Sequence, residues 1–190
     1  MKKRLLWILI LSLVFSLLTG CGGGPDQNRQ DDSGQDGGKK SFVFGDTTFN
    51  AENEEPNVNP HHAYAGWACI RYGVGETLFK ITDSLELEPW LAASHELVDD
   101  LTWKITLKDG VRFSNGKPCD AAAVMACLDH LVEVHDRARG DLMIASMEAD
   151  GLTLTIKTSA PAPSLLNYLS EPYGCIIDMD AGITEEGIVV

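Results

Sequence analysis

Two adjacent histidines, His61 and His62, are the residues whose type and spacing best suit chemistry in this 190-residue sequence. A neutral imidazole is a good ligand for Ni²⁺, Cu²⁺ or Zn²⁺, so the pair could hold a metal ion or a metal chelate. Adjacent histidines in a polar turn are equally consistent with solvated surface residues. Tyr64 and Trp67 follow closely, and their rings could stack on a ligand or pack in the core. Both interpretations of this segment stay open.

The remaining histidines do not form a catalytic arrangement. His130 and His135 are five residues apart, which places them off a shared face of a helix. The pair His135 and Asp136 has no nucleophile near it in the sequence. The sequence contains no HExxH, GxSxG or P-loop motif, which are the usual signatures of metalloproteases, hydrolases and nucleotide-binding enzymes. We therefore expect no enzyme and no cofactor.

The N-terminus, MKKRLLWILILSLVFSLLTGC, is typical of an export signal. A basic head precedes an apolar run over 5–18, which is shorter than the roughly 20 residues of a membrane span. The run ends in Leu-Thr-Gly-Cys, which resembles the lipobox of bacterial lipoproteins. This pattern predicts a signal peptide over 1–20 and lipid modification of Cys21. An ordinary signal peptide with an accidental cysteine is the alternative.

Charge and composition restrict the partners of the chain. The formal net charge is −13, and cleavage of the basic head would make it more negative, which argues against binding nucleic acid or anionic lipid by charge. Acyl chains on Cys21 would instead hold the protein at the membrane. Residues 21–40 are rich in Gly, Asp and Gln and so predict a flexible tether after the anchor.

Four further cysteines occur beyond the tether, in spacings without a CxxC pattern. Outside the cytoplasm they could form two disulfides. Three of them lie in apolar runs, so we favour buried free thiols, because cysteine packs as a small hydrophobe. The four residues are Cys69, Cys119, Cys127 and Cys175.

Residues from about 41 onward predict a mixed α/β fold. Alternating runs indicate strands, three- and four-residue spacings indicate helices, and glycines and prolines mark the turns between them. In the stretch TWKITLKDGVRFSNGKPCDAAAV, Trp103, Ile105 and Leu107 fall on one face, and Asp120 is placed to cap a helix. That helix should bury Val124, Cys127, Leu128, Leu131 and Val134. The predicted elements are a strand at 41–46, a helix with a loose end within 62–78, a hairpin at 94–108, a helix from 121, a hairpin at 144–158, a short helix near 160–171 and a strand at 175–178.

Residues 88–124, EPWLAASHELVDDLTWKITLKDGVRFSNGKPCDAAAV, are similar to the signature region of the extracellular solute-binding proteins of ABC importers. The resemblance is to family 5, which takes peptides, nickel chelates and related solutes. The similarity lies in an ordered set: Pro and LAxS, a hairpin with a tryptophan, then GVxFxNGxPxDA before a helix. His95 stands where the family commonly has tryptophan, and Cys119 where it commonly has phenylalanine or leucine. We expect both in the core.

This resemblance implies a fold like that of type II periplasmic binding proteins, here incomplete. Residues 41–82 would form the first segment of lobe one, 83–170 a small inserted domain, and 171–190 a truncated return to lobe one. It also implies a receptor that captures a solute outside the cytoplasm, at the cell surface or in the periplasm, and delivers it to the ABC permease subunits. A lipid-anchored structural or adhesion protein is an alternative of another class.

The resemblance also implies where a solute would bind. Residues 58–80 resemble the nickel-binding members, so His61, His62, Tyr64 and Trp67 would contribute to one wall. Glu171 and Tyr173 would belong to a second wall, in SEPYG. Nickel-binding members carry an arginine at the position of Glu171, and a carboxylate cannot replace it in holding a chelator's carboxylates. A peptide is therefore the favoured solute, and nickel or a metal chelate is the alternative.

Overall fold

The computed structural model describes residues 59–62 and 65–181, and the backbone at 183–184 and 187–188. The predicted export signal, Cys21, the strand at 41–46 and Tyr64 lie outside these residues. Within the described part of the chain, no helix has the length and apolar character needed to cross a membrane.

A four-stranded antiparallel sheet forms the centre of the fold. Its strands are β3 (Ala92–Asp99), β4 (Thr102–Leu107), β5 (Ile144–Asp150) and β6 (Thr153–Thr158), in the order β3-β4-β6-β5. The two predicted hairpins are thus confirmed. Gly151 adopts a positive φ of 57° in the turn between β5 and β6, a conformation that costs glycine little. The sheet buries one face, where Trp103, Ile105 and Leu107 alternate with more exposed residues.

Helix α2 (Ala121–Val134) packs on β5 and β6. The Asp120 side chain accepts a hydrogen bond from the backbone N–H of Ala123 at 2.9 Å, which confirms the predicted cap. Val124, Cys127, Leu128 and Leu131 are buried as expected, whereas Val134 is 49% exposed, and its predicted burial is wrong. Val134 is the last residue of the helix, and it lines an open cavity rather than the sheet.

The two departures from the family pattern lie in different surroundings. Cys119 is buried, as expected. His95 is exposed, so its expected place in the core is wrong. The reason is that β3 is an edge strand and α2 packs mainly on β5 and β6. The His95 ring instead meets the edge of Phe79, with 5.4 Å between ring centroids.

Shorter elements surround the sheet. The predicted helix with a loose end is α1 (Ala65–Arg71), followed by Gly73 at a φ of 67°. The sequence did not predict the small hairpin of β1 (Phe79–Ile81) and β2 (Leu87–Pro89) or the helix α3 (Ala138–Leu142). The other elements are α4 (Leu165–Tyr168), 3₁₀ turns at Pro172–Gly174 and Met179–Ala181, and a small hairpin of β7 (Ile183–Thr184) and β8 (Gly187–Ile188).

The predicted strand at 175–178 does not form. Cys175 makes only an isolated bridge with Thr77, and the Ile176 N–H donates to the Glu76 carbonyl at 3.0 Å. The ladder stops there because the next N–H, that of Ile177, is directed at the Cys127 thiol at 3.5 Å. A side chain from α2 thus takes the donor that a neighbouring strand would need.

The four cysteines of this region are buried free thiols, as favoured. Burial raises the pKa of Cys69 and of Cys119 to about 11, and that of Cys127 to about 12. The pKa of Cys175 is also raised, first by burial and then by Cys69. At neutral pH these thiols stay protonated and are poor nucleophiles.

Asn115 ties the turn before α2 to the end of the described chain. Its amide donates to Asp178 at 2.6 Å, and its side-chain oxygen accepts from the Lys117 N–H at 3.0 Å. We expect Asn115→Ala to lower the free energy of unfolding by roughly 1–2 kcal/mol, because both bonds are lost, and to leave solute affinity unchanged. Urea denaturation and calorimetric titration would check this; lost affinity with an unchanged unfolding midpoint would contradict it.

Candidate functional site

An open cavity of about 650 Å³ collects most of the residues expected to contact a solute. Its wall is formed by the turn at 59–62, helix α1, the segment after α2, and residues 168–173. Of the six residues expected there, only Tyr64 lies outside the described part of the chain. The lining residues are His61, His62, Trp67, Val134, His135, Asp136, Arg137, Tyr168, Glu171, Pro172 and Tyr173.

His61 is held in place on both ring nitrogens. Its Nδ1 lies 2.7 Å from Nδ1 of His130, and its Nε2 lies 3.4 Å from the Cys127 sulfur. Its backbone N–H donates to the Asn59 side chain at 2.9 Å. A metal ion would have to break one of these ring contacts before His61 could bind it. His61 is therefore a structural part of the cavity floor rather than an open ligand.

The environment of His61 also determines its protonation. The side chain is buried, with 3% exposed. The pKa of His61 is lowered to about 4, first by burial and then by the nearby His130 and His135. His61 is therefore neutral at pH 7. His62 is exposed beside it, so the two adjacent histidines differ in surroundings, and their joint action as metal ligands stays a prediction.

Helix α1 brings Trp67 to the cavity. The indole is 37% exposed and lines the wall, which leaves an aromatic face for stacking. The helix approaches closely because Gly66 has no side chain: a Cβ there would lie 2.6 Å from Pro172 Cβ and 2.8 Å from the Pro60 carbonyl. Gly66 thus allows helix α1, which carries Trp67, to pack directly against Pro172 in the opposite wall of the cavity.

The second wall contains Glu171 and Tyr173 in different roles. Glu171 is exposed on the cavity surface. Tyr173 is buried, and its hydroxyl donates to the Asp141 carboxylate at 2.8 Å. Burial, together with that hydrogen bond, raises the pKa of Tyr173. The edge of the His135 ring meets Tyr173, with 5.0 Å between centroids. Tyr173 therefore supports the wall, whereas Glu171 is available to a solute.

Sequence reasoning missed Arg137 as a residue of the cavity wall. It directly precedes α3 and lines the cavity. Its guanidinium lies 3.6 Å from Asp141, and its pKa is raised, first by the hydrogen bond to Tyr173. The signal in the sequence was an arginine three residues after the helix at 121–134, with an aspartate four residues further along the chain. His135 and Asp136, which were considered only for catalysis, line the same cavity.

A smaller cavity of about 220 Å³ lies elsewhere in the fold, lined by Cys69, Cys119 and Cys175 among mainly apolar residues. Its thiols are protonated at neutral pH, as their raised pKa values require. Among the residues that the structure describes, no group of three or more His, Cys, Asp or Glu side chains is arranged to hold a metal ion.

Residues 86–186, more than half of the chain, match the family described as "Bacterial extracellular solute-binding proteins, family 5 Middle". The chain belongs to this family. Its members are extracytoplasmic substrate-binding proteins of ABC transporters, not enzymes. The resemblance inferred from residues 88–124 is thus confirmed.

The relatives of this family 5 protein are named for binding different solutes. The chain is 36% identical over 112 residues to the nickel-binding protein NikA of Staphylococcus aureus, covering 59% of this chain and 23% of NikA. It is 32% identical over 109 residues to the glutathione-binding protein GsiB of Salmonella paratyphi A, covering 55% and 21%. The chain thus spans about a quarter or less of the length of these relatives.

A solved structure gives the fold. The crystal structure of S. aureus NikA in complex with Ni(L-His)₂ matches with a TM-score of 0.62 and 32% identity, over 67% of this chain and 27% of NikA. The expected mixed α/β fold of the type II periplasmic binding proteins is thereby confirmed for the matched part.

Proposed function

We propose that this family 5 protein is a receptor that captures a small solute outside the cytoplasm and delivers it to the permease of an ABC importer. The observation that carries the proposal is the 650 Å³ cavity, in which five residues expected from the sequence lie together. Its aromatic, imidazole and charged side chains provide the mixed lining that is usual for small-molecule sites.

The wall described here would be one side of a cleft. In this proposal residues 41–82 and 171–190 belong to lobe one, residues 83–170 form the small inserted domain, and a second lobe closes over the solute. The openness of the cavity on its outer side is consistent with such a partner lobe.

A short peptide is the first candidate solute. Both ring nitrogens of His61 are engaged, which disfavours direct coordination of a bare metal ion by the adjacent histidines. The similarity to a glutathione-binding protein agrees with a peptide. A preformed metal chelate is the second candidate, favoured by the similarity to NikA, whose structure holds Ni(L-His)₂.

Solute capture can be tested on the full-length protein. We expect native mass spectrometry to show a co-purified solute, and calorimetric titration to show binding of glutathione, of a tripeptide from a mixed panel, or of the nickel complex of L-histidine. If no solute co-purifies and no member of the panel binds or raises the melting temperature, the receptor proposal is wrong, and a structural or adhesion role becomes the better account.

Membrane attachment is a separate part of the proposal. Cys21 would be the lipid-modified residue, and 21–40 the tether. We expect the wild-type protein to fractionate with membranes and to incorporate a labelled fatty acid, and Cys21→Ser to lose the label. Labelling that persists in Cys21→Ser would show that the anchor lies elsewhere.

A further inference from the structure

We infer that Cys69 and Cys175 are a disulfide-forming pair, which joins helix α1 to the segment after the Pro172–Gly174 turn when the protein is oxidised. The structure holds both residues as free thiols, which is the reduced state of the pair. The disulfide would form whether or not the 650 Å³ cavity binds a solute, because neither cysteine lines that cavity.

The two side chains meet beside Gly75. After α1 the chain turns back, and the N–H groups of Val74 and Gly75 donate to the Cys69 carbonyl at 3.0 and 3.1 Å. A Cβ added to Gly75 would overlap the Cys175 sulfur and would lie 3.6 Å from the Cys69 Cβ. The missing side chain at position 75 thus lets two cysteines that are far apart in the sequence border the same point.

Backbone hydrogen bonds fix Cys175 in this place. Cys175 forms an isolated antiparallel bridge with Thr77, and the Ile176 N–H donates to the Glu76 carbonyl at 3.0 Å. These bonds align the segment before β1 with the segment that carries Cys175. The two backbones are therefore neighbours before any covalent bond exists, as a disulfide with little strain requires.

The surroundings of the pair also suit a disulfide. Both thiols line the cavity of about 220 Å³, which leaves space for a side chain to rotate and bring the sulfurs together. Burial, and next the nearby Cys69, raises the pKa of Cys175, in agreement with two thiols at close range. Family 5 members are extracytoplasmic, and disulfides form and persist outside the cytoplasm.

Cys127 is a poorer partner for either residue. Its sulfur accepts the Ile177 N–H at 3.5 Å and lies 3.4 Å from Nε2 of His61. A disulfide at Cys127 would disturb both contacts, and His61 would lose a neighbour that holds its ring. The structure therefore favours Cys69 over Cys127 as the partner of Cys175.

The bond needs an oxidant, and a disulfide compound is the class that supplies it. One cysteine thiolate attacks the compound, which forms a mixed disulfide and releases one thiol. The second thiolate attacks the protein sulfur of the mixed disulfide and releases the second thiol. The two cysteines lose two electrons and two protons, which the oxidant gains. Since the buried thiols stay protonated and react slowly at neutral pH, the exchange takes place while the chain folds.

Refolding of the full-length protein from urea tests the pair. One sample contains 2-hydroxyethyl disulfide and the other a phosphine reductant; iodoacetamide then blocks free thiols, and mass spectrometry maps the peptides. We expect a linked peptide with Cys69 and Cys175 in the oxidised sample and two alkylated cysteines in the reduced one. Because the bond closes a loop of roughly 100 residues, the oxidised protein should melt roughly 5 °C or more above the reduced protein.

Cys119→Ala is the matched control, since Cys119 is a buried cysteine that lines the same cavity. It should keep the linked peptide and the difference in melting temperature, whereas Cys175→Ala should lose both. If a variant fails to refold, the wild-type peptide map alone decides. A map in which Cys69 and Cys175 stay alkylated under oxidant, or in which either is linked to another cysteine, overturns the inference. The receptor proposal, which is tested by solute binding, stands or falls separately.

Discussion

Gly174→Ala is expected to lower the free energy of unfolding by about 3 kcal/mol or more. Gly174 ends the 3₁₀ turn that carries Tyr173, and its Cα faces the backbone of Leu169. An added Cβ would overlap the Leu169 carbonyl group, and a backbone group cannot move aside as a side-chain tip can. The cost is that of overpacking against a fixed neighbour. The midpoint of urea unfolding would measure it.

Gly140→Ala provides the matched control. Gly140 lies within α3, and a Cβ there would meet nothing within 4 Å. Alanine is the better helix former, so this variant should gain up to about 1 kcal/mol. Equal unfolding midpoints for Gly174→Ala and the wild type would contradict the close approach of Gly174 to the backbone of Leu169, directly after α4.

The second large effect is a dependence of stability on pH that His61 causes. The pKa of His61 is about 4 in the folded protein and near the model-peptide value of 6.5 when unfolded. Between these values the unfolded chain binds a proton that the folded chain excludes. The contribution of His61 to the free energy of unfolding is therefore fully present above about pH 6.5. It is lost as the pH decreases toward 4, by roughly 3 kcal/mol in total.

His61→Gln should remove most of this slope, while His62→Gln, at the exposed neighbour, should keep it. Denaturant unfolding at half-unit pH steps would compare the three proteins. The carboxylates of Asp99 and Asp178, whose pKa values are lowered, lose their contribution below about pH 4 and do not obscure the window. An unchanged slope in His61→Gln would show that the imidazole is not shielded from protons.

The central sheet and helix α2 could be predicted because local patterns and tertiary packing agree there. Trp103, Ile105 and Leu107 alternate on a strand that is buried on one face, and Asp120 caps the helix that covers it. The strand at 175–178 failed because a thiol from α2 takes the Ile177 N–H. No local pattern reports such a distant acceptor.

The candidate site could be predicted only in part, because its geometry also depends on contacts between residues that are distant in the sequence. His61 and Trp67 stood out as residue types in a short segment, but burial of His61 depends on His130, 69 positions away. Arg137 was not singled out from the sequence, because the Asp141 carboxylate beside it and the Tyr173 hydroxyl that donates to that carboxylate meet only in the folded chain. Side chains whose roles depend on long-range partners are the ones that sequence patterns leave undecided.

The most direct test of the account is a crystal structure of the full-length protein with its co-purified solute. We predict that the solute lies in the 650 Å³ cavity, against Trp67 and between the walls that carry Arg137 and Glu171. A well-defined solute that contacts none of the residues lining the 650 Å³ cavity would contradict the assignment of this cavity as the binding site.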